Sequence, residues 1–591
     1  MRPVKPLLAA LLAAALALVA ASAATAQEDK VVLTVGLTND WDSLNPVVGQ
    51  EVPDYEVWIL QYGTVTNKAA DDFATIPGLA ESWEASNDGK TYTYTLREGL
   101  KWSDGQPLTA KDVAFTINRA NKEEWLNFDA FVGNLRAKAI DERTVEVTSS
   151  APDPRLPGLG DTYILPEHIW GELDEKEITK YEATDGVGSG PFTIAEWKRG
   201  QYVRMKANPN YWGGQRPIDE VIFRLFNNAD AMVAALKNGE LDAAQYVPNN
   251  AMTALGSTEG IVAVQGHQGG FDELAINGGA GLKKPHPALL DRKVRLAIAH
   301  AIDRQTLVDK VLVGLGEPLE VISPGARREW IPELSEEESF EFDLAKAKGI
   351  LEAAGYKDTN GDGIREMPGG GDPLNFTYAV RTESQVGNPV AEFVTGWLKE
   401  IGIGTTLKPM NDSKLIEVIG KGEYDMFHWS WTPFVDPDPM LSYFTCDQVS
   451  SDPEDPTNYY NDANWCDKAY DALYKQQRVE LDEEKRIEIV HRMLRRFHDA
   501  VVYHVLWLEP DLQAYRTDRF EGWVRQPAEV GPVIFSNSSP TYASLTPVAG
   551  RGGGDDGIGT GAIVGIVIGG AVLIGLAAWF VLRRRTAEER E

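Results

Sequence analysis

The sequence predicts a mixed α/β protein that is exported and then held at a membrane. Three observations carry this reading. Strand and helix patterns are interspersed along the chain, residues 1–26 form a removable leader, and residues 558–582 form a second apolar run. In the leader, Arg2 and Lys5 precede an Ala/Leu run, and Ala24-Thr25-Ala26 offers a small-x-small cleavage site. The run at 558–582 is long enough to span a bilayer and is followed at once by Arg583, Arg584 and Arg585. That cluster assigns residues 583–591 to the cytoplasm and everything before the span to the outside. The Gly-rich stretch 547–557 reads as a flexible tether. Gly561, Gly565 and Gly569 share one helix face, which fits either a plain anchor or a close helix–helix contact.

The elements follow in order. Residues 31–36, VVLTVG, read as a short buried strand, and residues 91–96, TYTYTL, alternate strictly as a half-buried strand does. After the turn Ser103–Pro107, Thr109 and Asp112 form a capping box that opens a helix carrying Val113, Phe115, Ile117 and Ala120. Val294, Ala297, Ile298 and Ala301 mark another helix face, and Asp303 caps a further helix running to Gly314. Asp343–Ala354 is a helix stopped by Gly355, and 374–380, LNFTYAV, is a strand. Val490, Met493, Leu494 and Phe497 give the stripe of a long amphipathic helix, and VVYHVLWL after it is a buried strand.

Composition narrows the function. The formal net charge of −31 argues against nucleic acid, whose phosphates need basic patches. There is no HExxH, GxSxG or Walker loop, and the eight histidines are scattered, so no catalytic motif is legible and the chain reads as a binder rather than an enzyme. Cys446 and Cys466 are the only cysteines, and in an exported chain they are expected to form a disulfide. The stretch DTNGDGIRE places Asp358, Asn360 and Asp362 at alternate positions, with Gly363 at the turn of a calcium loop. The twelfth position is Gly369, not a carboxylate, and the loop joins a helix to a strand, which excludes an EF-hand sensor. Two readings stay open: an Asx-rich turn, or a structural calcium clip using Asp358, Asn360, Asp362, the Ile364 carbonyl and Glu366. No other cofactor is expected.

Four segments then occur together. They are GLAESW at Gly78–Trp83 with its continuation to DVAFTI, GSGPFTIAEWKRGQYVRMKANPNYWGG at Gly188–Gly214 leading into ALKNGELD, DRKVRLAIAHAIDR at Asp291–Arg304, and TDRFEGW at Thr517–Trp523. Together they resemble the large extracytoplasmic solute-binding proteins of ABC importers, the oligopeptide/dipeptide/nickel family (solute-binding family 5). The resemblance implies a periplasmic-binding-protein-like (type II) two-lobe fold with an extra inserted domain, here followed by the C-terminal transmembrane helix. It assigns 27–60, 186–279 and 510–546 to lobe I, 61–185 to the inserted subdomain, and 280–509 to lobe II. The crossings would lie near Gly278–Lys283 and Glu509–Gln513.

The implied function is capture of a solute, a peptide first, by lobe closure and delivery to the permease subunits, and through them the ATPase, of an ABC importer. An oligosaccharide or metal-chelate binder, a tethered receptor and a secreted hydrolase are the alternatives. The candidate ligand contacts are Thr38, Asn39, Asp40 and Trp41 after the first strand, Gly188 and Ser189 in the Gly-Ser-Gly-Pro turn, Arg381 as a carboxylate clamp, Trp429 and Trp431 as apolar walls, Asp436, Tyr503 and Trp507. The family's amine-binding aspartate aligns with Pro433, so the usual peptide marker is missing.

Overall fold

A computed structural model describes residues 30–548, apart from 126, 129–131, 385, 453–459 and 537. The leader at 1–26, the span at 558–582 and the tail at 583–591 lie outside the described residues, as does the tether from 549 on. Among the described residues no helix is long and apolar enough to cross a membrane.

Three sheets organise the chain. The first has seven strands in the order Ile261–Gly266, Asp511–Arg516, Ala243–Ala244, Val32–Leu37, Glu220–Leu225, Tyr202–Ala207 and Phe192–Lys198. Val32–Leu37 lies at its centre, parallel to both neighbours, which accounts for its nearly continuous apolar run. The second has six strands: Glu317–Pro318, Tyr503–Leu508, Phe271–Ile276, Met426–Trp431, Asn375–Arg381 and Gly404–Met410. The third, of four strands, comprises Ala80–Ala85, Thr91–Leu96, Thr144–Ser149 and Leu135–Ala139, and sits between segments of the first.

Local chemistry fixes the helices that flank these sheets. Thr109 caps Ala110–Glu123, its hydroxyl accepting from Lys111 N at 3.2 Å while Asp112 reaches back to Thr109 N at 2.8 Å. Such a cap contributes about 1 kcal/mol. Glu483–Ala500 buries Ile489, Val490, Met493, Leu494 and Phe497 on one face, and Phe497 packs 4.4 Å from Phe444 and 5.4 Å from Tyr503. Cys446 and Cys466 are joined by a disulfide, with Cα atoms 4.6 Å apart.

The chain passes between the two large sheets twice. Ile261–Gly266 ends the first sheet's edge and Phe271–Ile276 is already a central strand of the second. The first crossing is therefore His267–Gly270, a correction to the position near Gly278–Lys283, and the second lobe starts at 271 rather than 280. Glu509 and Pro510 make the return from Tyr503–Leu508 to Asp511–Arg516. The crossings touch: Glu509 N donates to Gly270 O at 2.6 Å. Gly269 has φ +83°, a backbone that glycine adopts without strain, as a hinge segment needs.

Candidate functional site

A cavity of about 290 Å³ opens beside the crossings. Val52, Tyr246 and Asn249 line it from the first lobe, Glu509 and Asp511 from the return crossing, and Ser384 and Thr432 from the second lobe. Tyr246 holds φ +54°, a strained backbone for a residue with a Cβ, of the kind that clusters at ligand sites. Higher in the cleft the lobes meet through rings: Tyr55 of the first lobe faces Phe434 of the second at 6.4 Å.

The second lobe's wall is built by three adjacent strands. Alternation puts Trp429 and Trp431 on one face of Met426–Trp431, so the two share one environment. Arg381, at the end of Asn375–Arg381, stacks on Trp429 with its guanidinium 4.0 Å from the ring centre. It also grips Asp412 through Nε at 2.9 Å and Nη2, and reaches Ser430 Oγ at 3.3 Å. Trp431 Nε1 donates to Tyr503 Oη at 2.8 Å, and Tyr503 Oη donates to Asp462 Oδ2 at 3.0 Å. The Trp431 ring lies 5.4 Å from Tyr443, which stacks on Tyr460 at 4.7 Å.

Carboxylates stand at both places: Glu509 and Asp511 line the cavity, and Asp462 and Glu273 lie buried beside Tyr503. Burial pushes Glu509 up to about 8, with Asp272 and Asp511 adding to it, and pushes Asp462 up to about 7 and Asp511 up to about 6. Glu273 is fully buried and titrates well above the usual carboxylate range, first through burial and then through Asp462 and Asp272. In the first lobe Glu51 is raised by burial and by Asp42 and Asp412, and Glu56 is pushed by burial to about 8. Arg381 is the positive charge that Glu51, Glu273 and Glu509 all feel.

The structure thus brings together four residues named from the sequence: Arg381, Trp429, Trp431 and Tyr503. Arg381 is committed to Asp412 rather than standing free as a clamp. Asp436 is corrected: it holds Arg486 with both oxygens at 2.7 and 2.8 Å and accepts Asp438 N, a structural ion pair. Trp507 is corrected too, being fully buried in the core behind the sheet with Leu274 and Leu506. Trp41 packs into the first lobe's core, and Thr38, Asn39 and Asp40 do not line the hinge cavity.

Gly188 and Ser189 fasten the inserted subdomain rather than reaching a ligand. A Cβ on Gly188 would lie 2.1 Å from Gln61 O, and Ser189 Oγ accepts Gly63 N at 2.9 Å. Sequence reasoning missed Glu273, Asp462, Glu509 and Asp511. The signal was two adjacent acids inside the apolar strand FDELAI.

The DTNGDGIRE loop folds on itself. Asp358 accepts Gly361 N and Gly363 N at 2.7 and 2.9 Å, and Asp362 accepts Ile364 N at 2.8 Å. A β-bridge between Lys357 and Glu366 closes the loop, so Glu366 returns to its start. Carboxylate oxygens of Asp358, Asp362 and Glu366 then lie within 4.8 Å of one another. Glu366 is buried, and its Oε1 has no hydrogen-bond partner.

Comparison with known proteins agrees with this architecture. Residues 74–452 match bacterial extracellular solute-binding proteins, family 5 Middle. The chain is 30% identical over 373 residues to the oligopeptide-binding protein AppA of Bacillus subtilis, a match covering 61% of this chain and 66% of AppA, just under two thirds of that protein. The structure of AppA in complex with a nonapeptide superposes with a TM-score of 0.73 at 23% identity, over 88% of this chain and 99% of that one. A periplasmic oligopeptide-binding protein of Thermotoga maritima gives 0.74 at 22% identity over 88% and 99%. NikZ of Campylobacter jejuni in complex with Ni(L-His) gives 0.71 at 21% over 87% and 99%. With more than half of its length matched and the two-lobed fold in place, the chain belongs to family 5 of the bacterial extracellular solute-binding proteins.

Proposed function

We propose that the protein captures a peptide between its lobes and delivers it to the permease subunits of an ABC importer, anchored outside the cell by its C-terminal span. The observation that carries this reading is the cavity between two lobes joined by paired crossings, in a member of a family whose relative AppA binds a nonapeptide. The anchor rests on the sequence at 558–591 alone. Calorimetry on the full chain with pooled peptides of five to nine residues is expected to show saturable binding. A ligand at a hundredfold excess over its Kd then stabilises the protein by about 2.7 kcal/mol. Binding of oligosaccharides but not of any peptide would overturn the peptide reading. Deleting 558–591 is expected to release the protein from the membrane fraction.

The same reading includes a structural calcium ion at Asp358, Asn360, Asp362, the Ile364 carbonyl and Glu366. The Lys357–Glu366 bridge supports it, because it delivers the carboxylate that position twelve lacks. The unpartnered Glu366 Oε1 supports it independently. Calcium titrated into the full chain is expected to bind with a Kd on the order of 10⁻⁴–10⁻³ M, as extracellular modules do. The Asp362→Ala variant should lose that heat. An unchanged isotherm in the variant would leave only the turn.

A further inference from the structure

We propose a second binding site, between the inserted subdomain and the second lobe, for a neutral polyhydroxyl molecule of mono- or disaccharide size. It stands apart from the peptide reading above. A cavity of about 470 Å³ lies there, within the size range of small-molecule sites, and it shares no lining residue with the hinge cavity. Asn67, Lys68 and Phe73 line it from the inserted subdomain, and Arg327, Trp330 and Asp436 from the second lobe.

The first observation is a buried donor without an acceptor. Trp330 is 2% exposed, and among the described residues nothing accepts its Nε1 hydrogen. An indole nitrogen can only donate, and a buried donor left unmet is costly. The ring is held in place, with the Arg486 and Arg327 guanidinium carbons 5.3 and 5.7 Å from its centre. On the subdomain's side Asn67 uses its oxygen to accept Thr64 Oγ1 at 2.9 Å. Among the described residues its Nδ2 donates to no protein group. Both walls therefore offer N–H groups and lack oxygen acceptors.

The second observation is that the charges of the wall are already answered. Lys68 pairs with Asp161, Arg486 with both oxygens of Asp436, and Arg327 with Glu483. A charged ligand would have to break one of these pairs, and with five carboxylates against four cations on the wall an anion meets no surplus of positive charge. A polyol breaks none. Its oxygens accept from Trp330, Asn67 and the remaining N–H groups of Lys68 and Arg486, while its hydroxyl hydrogens return bonds to free lone pairs of Asp161 and Asp436. The third observation is an apolar patch for the C–H face of such a molecule. Phe73 and Val435 both line the cavity and pack together with Ala326 and Phe535, the two phenylalanine rings stacking at 5.1 Å. Phe73 holds φ +60°, a strained backbone of the kind that clusters at ligand sites.

The test titrates maltose, trehalose and sorbitol into the full chain by calorimetry, with phosphate and citrate as anionic probes. At least one of the three polyols is expected to bind saturably. Trp330→Phe and Asn67→Asp each remove a donor and keep most of the shape, and each should weaken that binding at least fivefold. Glu392→Gln, exposed on a helix elsewhere in the second lobe, should not. Melting curves show whether each variant is folded, and if Trp330→Phe is not, Asn67→Asp decides. Binding that the variants leave unchanged would place the polyol elsewhere and overturn the site. Binding of phosphate or citrate but of no polyol would overturn the neutral class, and no binding at all would leave the cavity to water and reject the proposal. A saturating peptide should not displace the polyol; displacement would mean one shared site and would also overturn the proposal. Failure of every peptide to bind rejects the peptide reading alone, and a polyol that still binds and still depends on Trp330 and Asn67 upholds this site.

Discussion

Replacing Arg155 by methionine is expected to cost the protein about 3–5 kcal/mol, because it leaves buried carboxylates without their cation. Arg155 belongs to the inserted subdomain and binds Asp153 there through Nη2 at 2.7 Å and Nε at 2.9 Å. It also crosses to the second lobe, with Nη1 3.3 Å from Asp438 Oδ2. The network continues inward. Gln477 Nε2 donates to Asp438 Oδ1 at 2.6 Å, and Arg486 Nε donates to Gln477 Oε1 at 3.1 Å before pairing with Asp436. The side chains of Arg155, Asp153, Asp438 and Arg486 are each at most 10% exposed, so water screens little of this. Arg155 and Arg486 together hold Asp436 below the usual carboxylate range despite its burial, and Arg155 does the same for Asp153.

Because Arg155 alone among these bridges the inserted subdomain and the second lobe, its loss has a second consequence. It weakens the contact between the inserted subdomain and the second lobe, and a ligand that needs this arrangement to bind loses apparent affinity in proportion to its population. Arg486→Met breaks the same network within one lobe and should destabilise without that loss of affinity. Urea denaturation checks the first effect and calorimetry with a bound peptide the second. A stability loss under about 1 kcal/mol for Arg155→Met would show the network to be no more than a surface pair. The double variant Arg155→Met/Asp153→Asn should recover part of the loss, since it removes the carboxylate that Arg155 held, whereas Asp438 keeps Gln477 and Arg478.

Local pattern made the scaffold readable, and long-range pairing hid much of the site. The strand at 91–96 and the helices after Thr109, Asp303 and Asp343 were legible because cap and alternation are written within a few residues. Trp429 and Trp431 could be grouped for the same reason. Asp436 could not be placed, because its partner Arg486 is 50 residues away on another helix. Tyr503 and Trp507 are four apart and should share a face of a regular strand. The pairing with Phe271–Ile276 shifts register between Asp272 and Glu273, matching Asp272 to Trp507 and Glu273 to Val505. That bulge at Leu506 turns Trp507 to the far side. The first crossing was misplaced because two Gly-containing stretches flank FDELAI, and its paired acids disguise a fully buried strand.

The buried acids Glu56, Glu509, Asp462, Asp54 and Glu273 make the protein less stable at pH 8 than at pH 6.5, by on the order of 5 kcal/mol. Burial pushes Glu56 and Glu509 up to about 8 and Asp462 up to about 7. Asp54 is pushed up to about 10 by burial and by the neighbouring Asp42, to which its protonated carboxyl donates, and Glu273 stands well above the usual range. In the unfolded chain these groups ionise near 4. Between those limits the folded state binds more protons through these groups than the unfolded state, so their contribution is full near pH 4 and drains away as pH rises. Each such proton is worth about 1.4 kcal/mol per pH unit.

Buried histidines act in the opposite direction, but lower down. Burial depresses His267, His300, His498 and His504, and their contribution grows with pH until about one unit above 6.5, where the unfolded imidazoles have lost their protons. Asp153 and Asp436, held low by their arginines, are ionised throughout and add no slope. Between 6.5 and 8 the histidines offset only a small part of the fall, and the raised carboxylates set its sign. Urea denaturation at the two values should show the fall, and Glu56→Gln, which can still meet Gln245, should flatten it. A flat or rising profile would mean that these acids are ionised in the folded protein.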